Sequence, residues 1–268
     1  MLSGGGSLGA MQAGQLRALL EAGITPDLVI GVSAGALNGA AVAHRPTVET
    51  AEQLASIWQG LTSDYIFRGS RYERAWHVIR RHSHIYRSDG LVDLVDRFLP
   101  VEDLDQLEVR FEAGTVNLDD VRVDFHSSGA PRAVLVASAS LPGVFRPVVI
   151  DGCRHVDGGI AVNLPIQRAL DLGATRVFAF DCRAGTRHRL PADLSALGVL
   201  TSSIAVAREI LTPTHDHPGV VRLPAPDTHG IGVQDFSQTA RLIDEGYELV
   251  SSFLQQPNIR ALPAPSAA

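Results

Sequence analysis

Apolar residues recur along the chain at two spacings, which predict alternating helices and strands. Helical spacing predicts helices over residues 10–22, 34–45, 48–60, 88–99, 133–139, 163–172, 191–211 and 235–254. Short apolar runs predict strands over residues 28–32, 109–115, 121–125, 148–150, 154–156, 177–180 and 220–223. The alternation predicts an α/β fold with a mainly parallel sheet, in which 109–115 and 121–125 form an antiparallel pair.

The chain is predicted to form one domain, because it shows neither an internal repeat nor a linker. With 268 residues, 45% of them hydrophobic, it can bury one large core, which excludes a disordered chain. We assign residues 1–254 to this domain. The Pro- and Ala-rich stretch over 255–268 has no periodicity and is predicted to be a disordered tail.

Charge and residue usage exclude several function classes. A net charge of -6 disfavours a nucleic-acid partner. All 23 basic residues are arginine, which excludes Schiff-base and P-loop chemistry, and we expect neither a cofactor nor a metal. Cys153 and Cys182 form no pairing pattern, and no secretory signal or membrane-spanning run is visible. We therefore expect a cytoplasmic protein.

A glycine loop precedes the first predicted helix. Gly4, Gly6 and Gly9 match the dinucleotide-binding pattern G-x-G-x-x-G. That interpretation needs an acidic residue at the end of the next strand, where Ser33 stands. Glycines at a helix N-terminus also present free N–H groups to any negative charge, including an oxyanion. A dinucleotide site, an oxyanion site and a simple turn remain alternatives for this loop.

Ser33 is the candidate nucleophile. Gly31 and Gly35 flank it in a G-x-S-x-G pattern between a predicted strand and a predicted helix, which is the setting of a nucleophile elbow. The competing interpretation is an ordinary helix N-cap. Only one full strand precedes Ser33, whereas a standard α/β-hydrolase would place its serine later in the sheet.

Asp157 is the candidate base. It follows a short predicted strand and precedes Gly158 and Gly159. An Asp-Gly pair is usually only a turn, which is how we interpret Asp151-Gly152. The histidines in loop-like sequence are expected at the surface; they are His188, His215, His217 and His229.

Four blocks in this order resemble the patatin-like phospholipase family. They are Gly4 to Gly9, Gly31 to Gly35, Ala137 to Pro147, and Asp157-Gly158-Gly159 with Asn163-Leu164-Pro165. The resemblance implies a three-layer sandwich and hydrolysis of fatty-acyl esters of lipids, of the phospholipase A or lysophospholipase type. It also implies a Ser33–Asp157 dyad without histidine and an oxyanion hole at Gly4, Gly5 and Gly6.

The chain departs from the family pattern at two places. Leu8 stands where the family often has a basic residue, a role for which Arg146 is a candidate substitute. Only residues 1–3 remain to form the strand that normally precedes the glycines. If that stub leaves the loop unformed, the chain would be a catalytically weak member that binds lipid or a partner.

An arginine-rich segment suggests a membrane contact. Between Arg68 and Arg87 lie six arginines, one acidic residue and three aromatic residues. Such a segment can dock on anionic headgroups at the membrane periphery. The alternative is a solvated helix whose aromatic residues face the core.

Overall fold

A computed structural model of the protein describes residues 1–68, 84–183, 199, 202–204, 206–207 and 217–257. The helices with described bounds are α1 (Ala10–Glu21), α2 (Ala34–His44), α3 (Val48–Gly60), α4 (Ser63–Ile66), α5 (Asp89–Phe98), α6 (Pro131–Ser138), α7 (Ile166–Asp171) and α8 (Thr239–Leu254). The strands are β1 (Leu28–Val32), β2 (Arg110–Asn117), β3 (Arg122–His126), β4 (Val148–Ile150), β5 (Cys153–Asp157), β6 (Val177–Ala179) and β7 (Val220–Arg222).

The central strands run parallel. β1 pairs in parallel with β2, and β6 pairs in parallel with β7. Between β1 and β6 lies the N-terminal segment, where Leu2 bridges in parallel to Gly31 on one side and to Phe180 on the other. Strands β3, β4 and β5 add an antiparallel part. The predicted α/β class with a mainly parallel sheet is therefore confirmed, and so is the antiparallel pair β2–β3.

β1 and β5 lie end to end along one edge of β2. β3 pairs with β2 over Ala113–Asn117 and occupies the other edge of that strand. β1 ends with Val32 opposite Gly114, and β5 ends with Asp157 opposite Thr115, the next residue of β2. Because β1 and β5 run in opposite directions, their C-terminal ends meet beside β2.

Helices cover both faces of the sheet. Val29 belongs to the larger apolar core, which holds residues of α1, α2, α3, α5 and α6. Its neighbour Ile30 belongs to a second core with Met1, Ala169 and Val177. Since successive strand residues point to opposite faces, the two cores lie on opposite sides of β1. This arrangement is the expected three-layer sandwich.

Two predicted helices begin later than their apolar spacing suggested. α7 starts at Ile166 because the residue before a proline is disfavoured in helical geometry, and Leu164 precedes Pro165. α8 starts at Thr239, since Asp235 accepts hydrogen bonds from the backbone and the hydroxyl of Ser237 and stabilises a turn there.

Some predictions fall on residues outside the described ranges. In the predicted helix over 191–211, residues 199, 202–204 and 206–207 are helical. The proposed tail is described only as far as residue 257. Among the helices that the structure describes, none combines the length and apolar character needed to cross a bilayer.

The proposed membrane segment is described only at its ends, Arg68 and residues 84–87. Arg68 pairs with Asp93 at 2.8 Å and Arg87 with Asp89 at 2.7 Å. The ring of Tyr86 packs edge-on against Phe67 at a centroid distance of 5.3 Å. Peripheral membrane contact through this segment stays a prediction.

A buried carboxylate ties α7 to the sheet. Glu112 on β2 is 2% exposed, and Arg168 on α7 contacts both of its oxygens, at 2.7 and 3.0 Å. Arg110 adds one contact at 3.2 Å. Because a buried charge is costly without its partner, this pair fixes where α7 lies against β2.

We predict that Arg168→Leu lowers the free energy of unfolding by about 3 kcal/mol, because Glu112 loses its two-point partner while buried. The matched control is Arg132→Leu, which breaks the exposed pair between Arg132 and Asp96 and is expected to cost much less, because solvent screens that pair. Urea unfolding of the three proteins measures both effects. Equal losses of unfolding free energy in the two variants would show that the buried Glu112–Arg168 pair stabilises the fold no more than the exposed pair does.

Candidate active site

Ser33 lies at a strained turn between β1 and α2. Its φ of 56° and ψ of -126° place a non-glycine residue in a rarely populated region of backbone geometry. Ser33 occupies the N-cap position of α2, but its side chain makes no capping hydrogen bond. The structure therefore gives no support to the N-cap interpretation of this serine.

Backbone hydrogen bonds fix the turn from both sides. The N–H of Ser33 donates to Oγ of Ser138 at 3.0 Å, and that hydroxyl donates to the carbonyl of Gly114 at 2.8 Å. The carbonyl of Ser33 accepts from the N–H groups of Ala36 and Leu37. Strained backbone persists only where its surroundings determine it, and these bonds supply that constraint.

The glycines of the elbow are required by close backbone approach. A Cβ at Gly31 would lie 2.4 Å from the carbonyl oxygen of Gly35. A Cβ at Gly35 would lie 2.4 Å from the carbonyl oxygen of Leu2, on the N-terminal segment. The G-x-S-x-G pattern thus lets α2 start directly against the sheet.

Asp157 stands at the end of β5, where that strand meets the end of β1. The residue is 5% exposed. Its N–H donates to the carbonyl of Ser140 at 3.0 Å, and its Oδ1 accepts from the N–H of Gly159 at 2.7 Å. The two candidate catalytic residues are therefore brought together by the common edge of β2, because Asp157 lies opposite Thr115 and Ser33 directly follows the partner of Gly114.

The other Asp-Gly pair is a simple turn, as expected. Asp151 and Gly152 connect β4 to β5 with φ values of 50° and 82°, and both are exposed. Positive φ at both central residues is the geometry of a two-residue hairpin turn.

The glycine loop packs against the nucleophile. A Cβ at Gly4 would lie 2.8 Å from Cβ of Ser33, and a Cβ at Gly9 would lie 2.7 Å from Cβ of Ala34. Gly6 has a φ of 59° and opens a short 3₁₀ turn that leads into α1. Side chains at Gly4 and Gly9 would push the loop away from the elbow.

The first amide of the loop has a protein acceptor. The N–H of Gly4 donates to Oδ1 of Asn163 at 3.1 Å. Among the described residues, the N–H groups of Gly5 and Gly6 donate no hydrogen bond. The loop thus keeps two amides available for a bound negative charge.

The glycines after Asp157 also allow close packing. A Cβ at Gly158 would lie 2.5 Å from the carbonyl oxygen of Gly114. A Cβ at Gly159 would lie 3.0 Å from both Oδ1 of Asp157 and Oδ1 of Asn163. Gly158 is therefore packed against the backbone of β2, and Gly159 against the side chains of Asp157 and Asn163.

A buried amide network behind the glycine loop was not found from the sequence. Asn38 on α2 accepts from the indole N–H of Trp58 at 2.8 Å and donates to the carbonyl of Gly9 and to Oε1 of Gln12, both at 2.9 Å. Gln12 donates in turn to the carbonyl of Ser3 at 2.8 Å. The sequence feature that could have indicated this network is Asn38 itself, a polar residue in a helix made mostly of small and apolar residues.

Two histidines form a second polar cluster beside the site. Oγ1 of Thr115 lies 2.8 Å from Nε2 of His126 and 2.9 Å from Nδ1 of His155. Burial lowers the pKa of both histidines. Within the described ranges, no histidine hydrogen-bonds to Ser33. His217 and His229 are exposed as expected, whereas His188 and His215 lie outside those ranges.

The arrangement favours acyl chemistry over the dinucleotide alternative. The end of β1 carries Ser33 in place of the carboxylate that a ribose would need, and Asn163 occupies the first amide of the loop. No three His, Cys, Asp or Glu side chains in the described segments are grouped in a way that could hold a metal ion.

We predict that the protein loses stability as the pH falls below about 6.5. Because burial lowers the pKa of His126 and His155, the unfolded chain takes up protons there before the folded chain does. Their contribution to the free energy of unfolding is complete above the pKa that the histidines have in the unfolded chain. It is lost as the pH falls through the lower pKa that they have in the folded protein. Urea unfolding of the wild type and His155→Asn between about pH 5 and pH 8 should show a smaller loss in the variant.

The control for this experiment is His229→Asn, which changes an exposed histidine. Its stability should follow the wild-type pH dependence. A His155→Asn protein that loses as much stability on acidification as the wild type would show that the buried cluster does not set this dependence.

The sequence is similar to known proteins. The family model for "Patatin-like phospholipase" matches residues 1–170. Lysophospholipase nte1 of Neurospora crassa is 31% identical over 189 residues, which is 68% of this chain and 12% of that protein. Lysophospholipase NTE1 of Chaetomium globosum is 32% identical over 192 residues, 69% of this chain and 12% of that protein.

Among solved structures, VipD from Legionella pneumophila aligns with 94% of this chain and 66% of its own, with a TM-score of 0.47 and 14% identity. This chain spans about an eighth of the length of the two lysophospholipases. The family model covers more than half of the chain, with the glycine loop, the elbow and Asp157 inside the matched range. The chain belongs to the patatin-like phospholipase family.

Proposed function

We propose that this protein is a serine acyl hydrolase that cleaves fatty-acyl ester bonds of lipids, of the phospholipase A or lysophospholipase type. The observation that carries the proposal is the position of Ser33. It stands at a strained elbow, with the end of β5 and Asp157 on one side and the glycine loop on the other. The names of the two fungal relatives, lysophospholipases, support a lipid ester as substrate.

In the first half of the proposed reaction, Asp157 takes the proton of the Ser33 hydroxyl as Oγ attacks the ester carbonyl. A bond forms between Oγ and the acyl carbon, and the ester C–O bond breaks. The leaving alcohol receives the proton from Asp157. The product is an acyl-enzyme on Ser33.

In the second half, Asp157 takes a proton from water as the water oxygen attacks the acyl carbon. The bond to Oγ breaks, Ser33 regains its proton, and the fatty acid leaves. Burial of Asp157 favours both halves, because a hydrogen bond to a carboxylate is stronger where water is excluded. The N–H of Gly159 holds Oδ1 and thereby sets the direction of the carboxylate.

The proposed oxyanion hole uses the two amides of the loop for which the described part of the chain supplies no hydrogen-bond acceptor. Gly5 caps the 3₁₀ turn that leads into α1 and Gly6 is the first residue of that turn, so the helix N-terminus adds a favourable dipole at both N–H groups. Gly4 was expected to be a third donor, but its N–H is held by Asn163. In this proposal Gly4 shapes the loop beside Ser33 and does not donate to the oxyanion.

The alternative of a catalytically weak binding protein depended on an unformed loop. The N–H of Leu2 donates to Ile30 at 2.9 Å, and that of Ser3 donates to Phe180 at 3.0 Å. Residues 1–3 are therefore bonded on both sides within the sheet, which supports a formed loop. The reactivity of Ser33 distinguishes the two possibilities.

We predict that a fluorophosphonate labels the wild type once, since Oγ of an activated serine displaces fluoride from phosphorus. Ser33→Ala should abolish the adduct, and Asp157→Asn should slow labelling by about 10³-fold or more, because the serine loses its base. Intact-protein mass spectrometry over time measures both effects, with circular dichroism to verify folding.

Two matched variants control for the chemistry of the substitutions. Ser88→Ala removes the hydroxyl of another serine that, like Ser33, occupies a helix N-cap position and whose side chain makes no capping hydrogen bond. Asp151→Asn neutralises the exposed aspartate six positions before Asp157. Both should label like the wild type. An adduct that persists in Ser33→Ala would identify a different nucleophile, and a folded wild type without any adduct would favour the binding alternative.

A further inference from the structure

The side chain of Asn163 connects the two loops of the proposed site. It lies after the 3₁₀ turn Gly158–Ile160 that follows Asp157, and two residues before Pro165. Its Oδ1 accepts from the N–H of Gly4 at 3.1 Å, and its Nδ2 donates to the carbonyl of Gly4 at 3.3 Å. One amide therefore satisfies both backbone groups of a residue 159 positions away.

The same amide fills the space between the loops. Its Oδ1 lies 2.8 Å from the position that a Cβ of Gly4 would occupy, and 3.0 Å from that of Gly159. The Gly4 position is also 2.8 Å from Cβ of Ser33. A shift of the amide would therefore move the glycine loop relative to both the nucleophile and the base.

Asn163 is itself anchored to the sheet on both sides. Before it, the N–H of Gly159 is bonded to Asp157 on β5. After it, Ile166 is buried and Arg168 on α7 holds Glu112 on β2. The amide is thus held at a set position relative to β2 and β5, the strands that also position the dyad.

We propose that Asn163 is a positioning residue that sets the distance between the glycine loop and Ser33, so that the amides of Gly5 and Gly6 meet the oxyanion. The inference rests on the proposed function. Asn163 contacts no reacting atom in this scheme and acts through Gly4. Only a side chain that offers an acceptor and a donor in one plane can make both bonds, which explains an amide at this position.

The substitution Asn163→Asp tests the two bonds separately from the fold. When protonated, the new carboxyl retains an acceptor for the N–H of Gly4 and an O–H donor for its carbonyl. When ionised, it has no donor, repels the carbonyl of Gly4 and places a negative charge beside the developing oxyanion. Its deficit relative to the wild type should therefore grow as the pH rises.

The experiment measures the second-order rate constant of fluorophosphonate labelling at Ser33 across pH. The transferred phosphoryl oxygen occupies the oxyanion hole, so this rate reports the hole without a choice of lipid. We expect Asn163→Ala to be slower by about 10- to 100-fold at every pH, as for a displaced catalytic group. Asn163→Asp should approach the wild-type rate at low pH and fall away from it at high pH.

The matched control is Gln167→Glu, four residues along the chain. It makes the same amide-to-acid change at an exposed side chain that bonds only Asp171 among the described residues. Its rate relative to the wild type should stay near one at every pH.

The outcomes separate this inference from the proposed function. If the wild type does not label at Ser33, the proposed function fails. If the wild type labels and Asn163→Asp shows a constant ratio to it across pH, the positioning role is overturned. Should Asn163→Ala fail to fold, the pH dependence of Asn163→Asp still decides the question.

Discussion

The site depends on one constraint of strand pairing, the shared edge of β2. β1 arrives parallel and stops opposite Gly114, while β5 arrives antiparallel and stops opposite Thr115. Gly114 and Thr115 are consecutive residues of β2, so no other residue of the edge separates the two strand ends. The residue that follows β1, Ser33, and the residue that ends β5, Asp157, are therefore neighbours. The serine and the carboxylate are placed by backbone hydrogen bonds, with no need for a long side chain to reach across a cleft.

The glycine loop is placed by different forces. The N-terminal residues Met1 and Leu2 form backbone hydrogen bonds with β1 on one side and with Phe180, the residue after β6, on the other. Behind the loop, the buried amides of Gln12 and Asn38 hold the carbonyls of Ser3 and Gly9. A buried carbonyl without a donor is costly, so these bonds restrict the loop to one path. The glycines are needed because that path runs within contact distance of the elbow.

The local parts of this architecture were predictable from the sequence, and the long-range parts were not. Glycines end α1 and α7, with φ values of 75° at Gly23 and 87° at Gly173, and a glycine just after an apolar helical pattern is a signal that the sequence itself carries. The strained elbow and the Asp151 turn also follow from neighbouring residues. The ends of β1 and β5, however, are more than 100 positions apart in the sequence. The spacing of apolar residues within each strand does not show which distant strand it lies beside. The role of Asn38 was not predicted for the same reason, because its partners Gly9, Gln12 and Trp58 lie 20 to 29 positions away in the sequence.

The two histidines beside the site hydrogen-bond Thr115 and not Ser33, which supports a carboxylate as the base of the proposed dyad. His155 is two residues from Asp157 on the same strand, and is 2% exposed. Its Nδ1 bonds the hydroxyl of Thr115, and burial lowers its pKa, which favours the neutral ring. A histidine base needs its proton-accepting nitrogen directed at the nucleophile. The ring of His155 instead hydrogen-bonds Thr115 on β2 and stabilises β5, the strand that ends at Asp157. In the proposed dyad, the carboxylate of Asp157 takes the proton from Ser33, and the strand that holds His155 also fixes the position of this carboxylate.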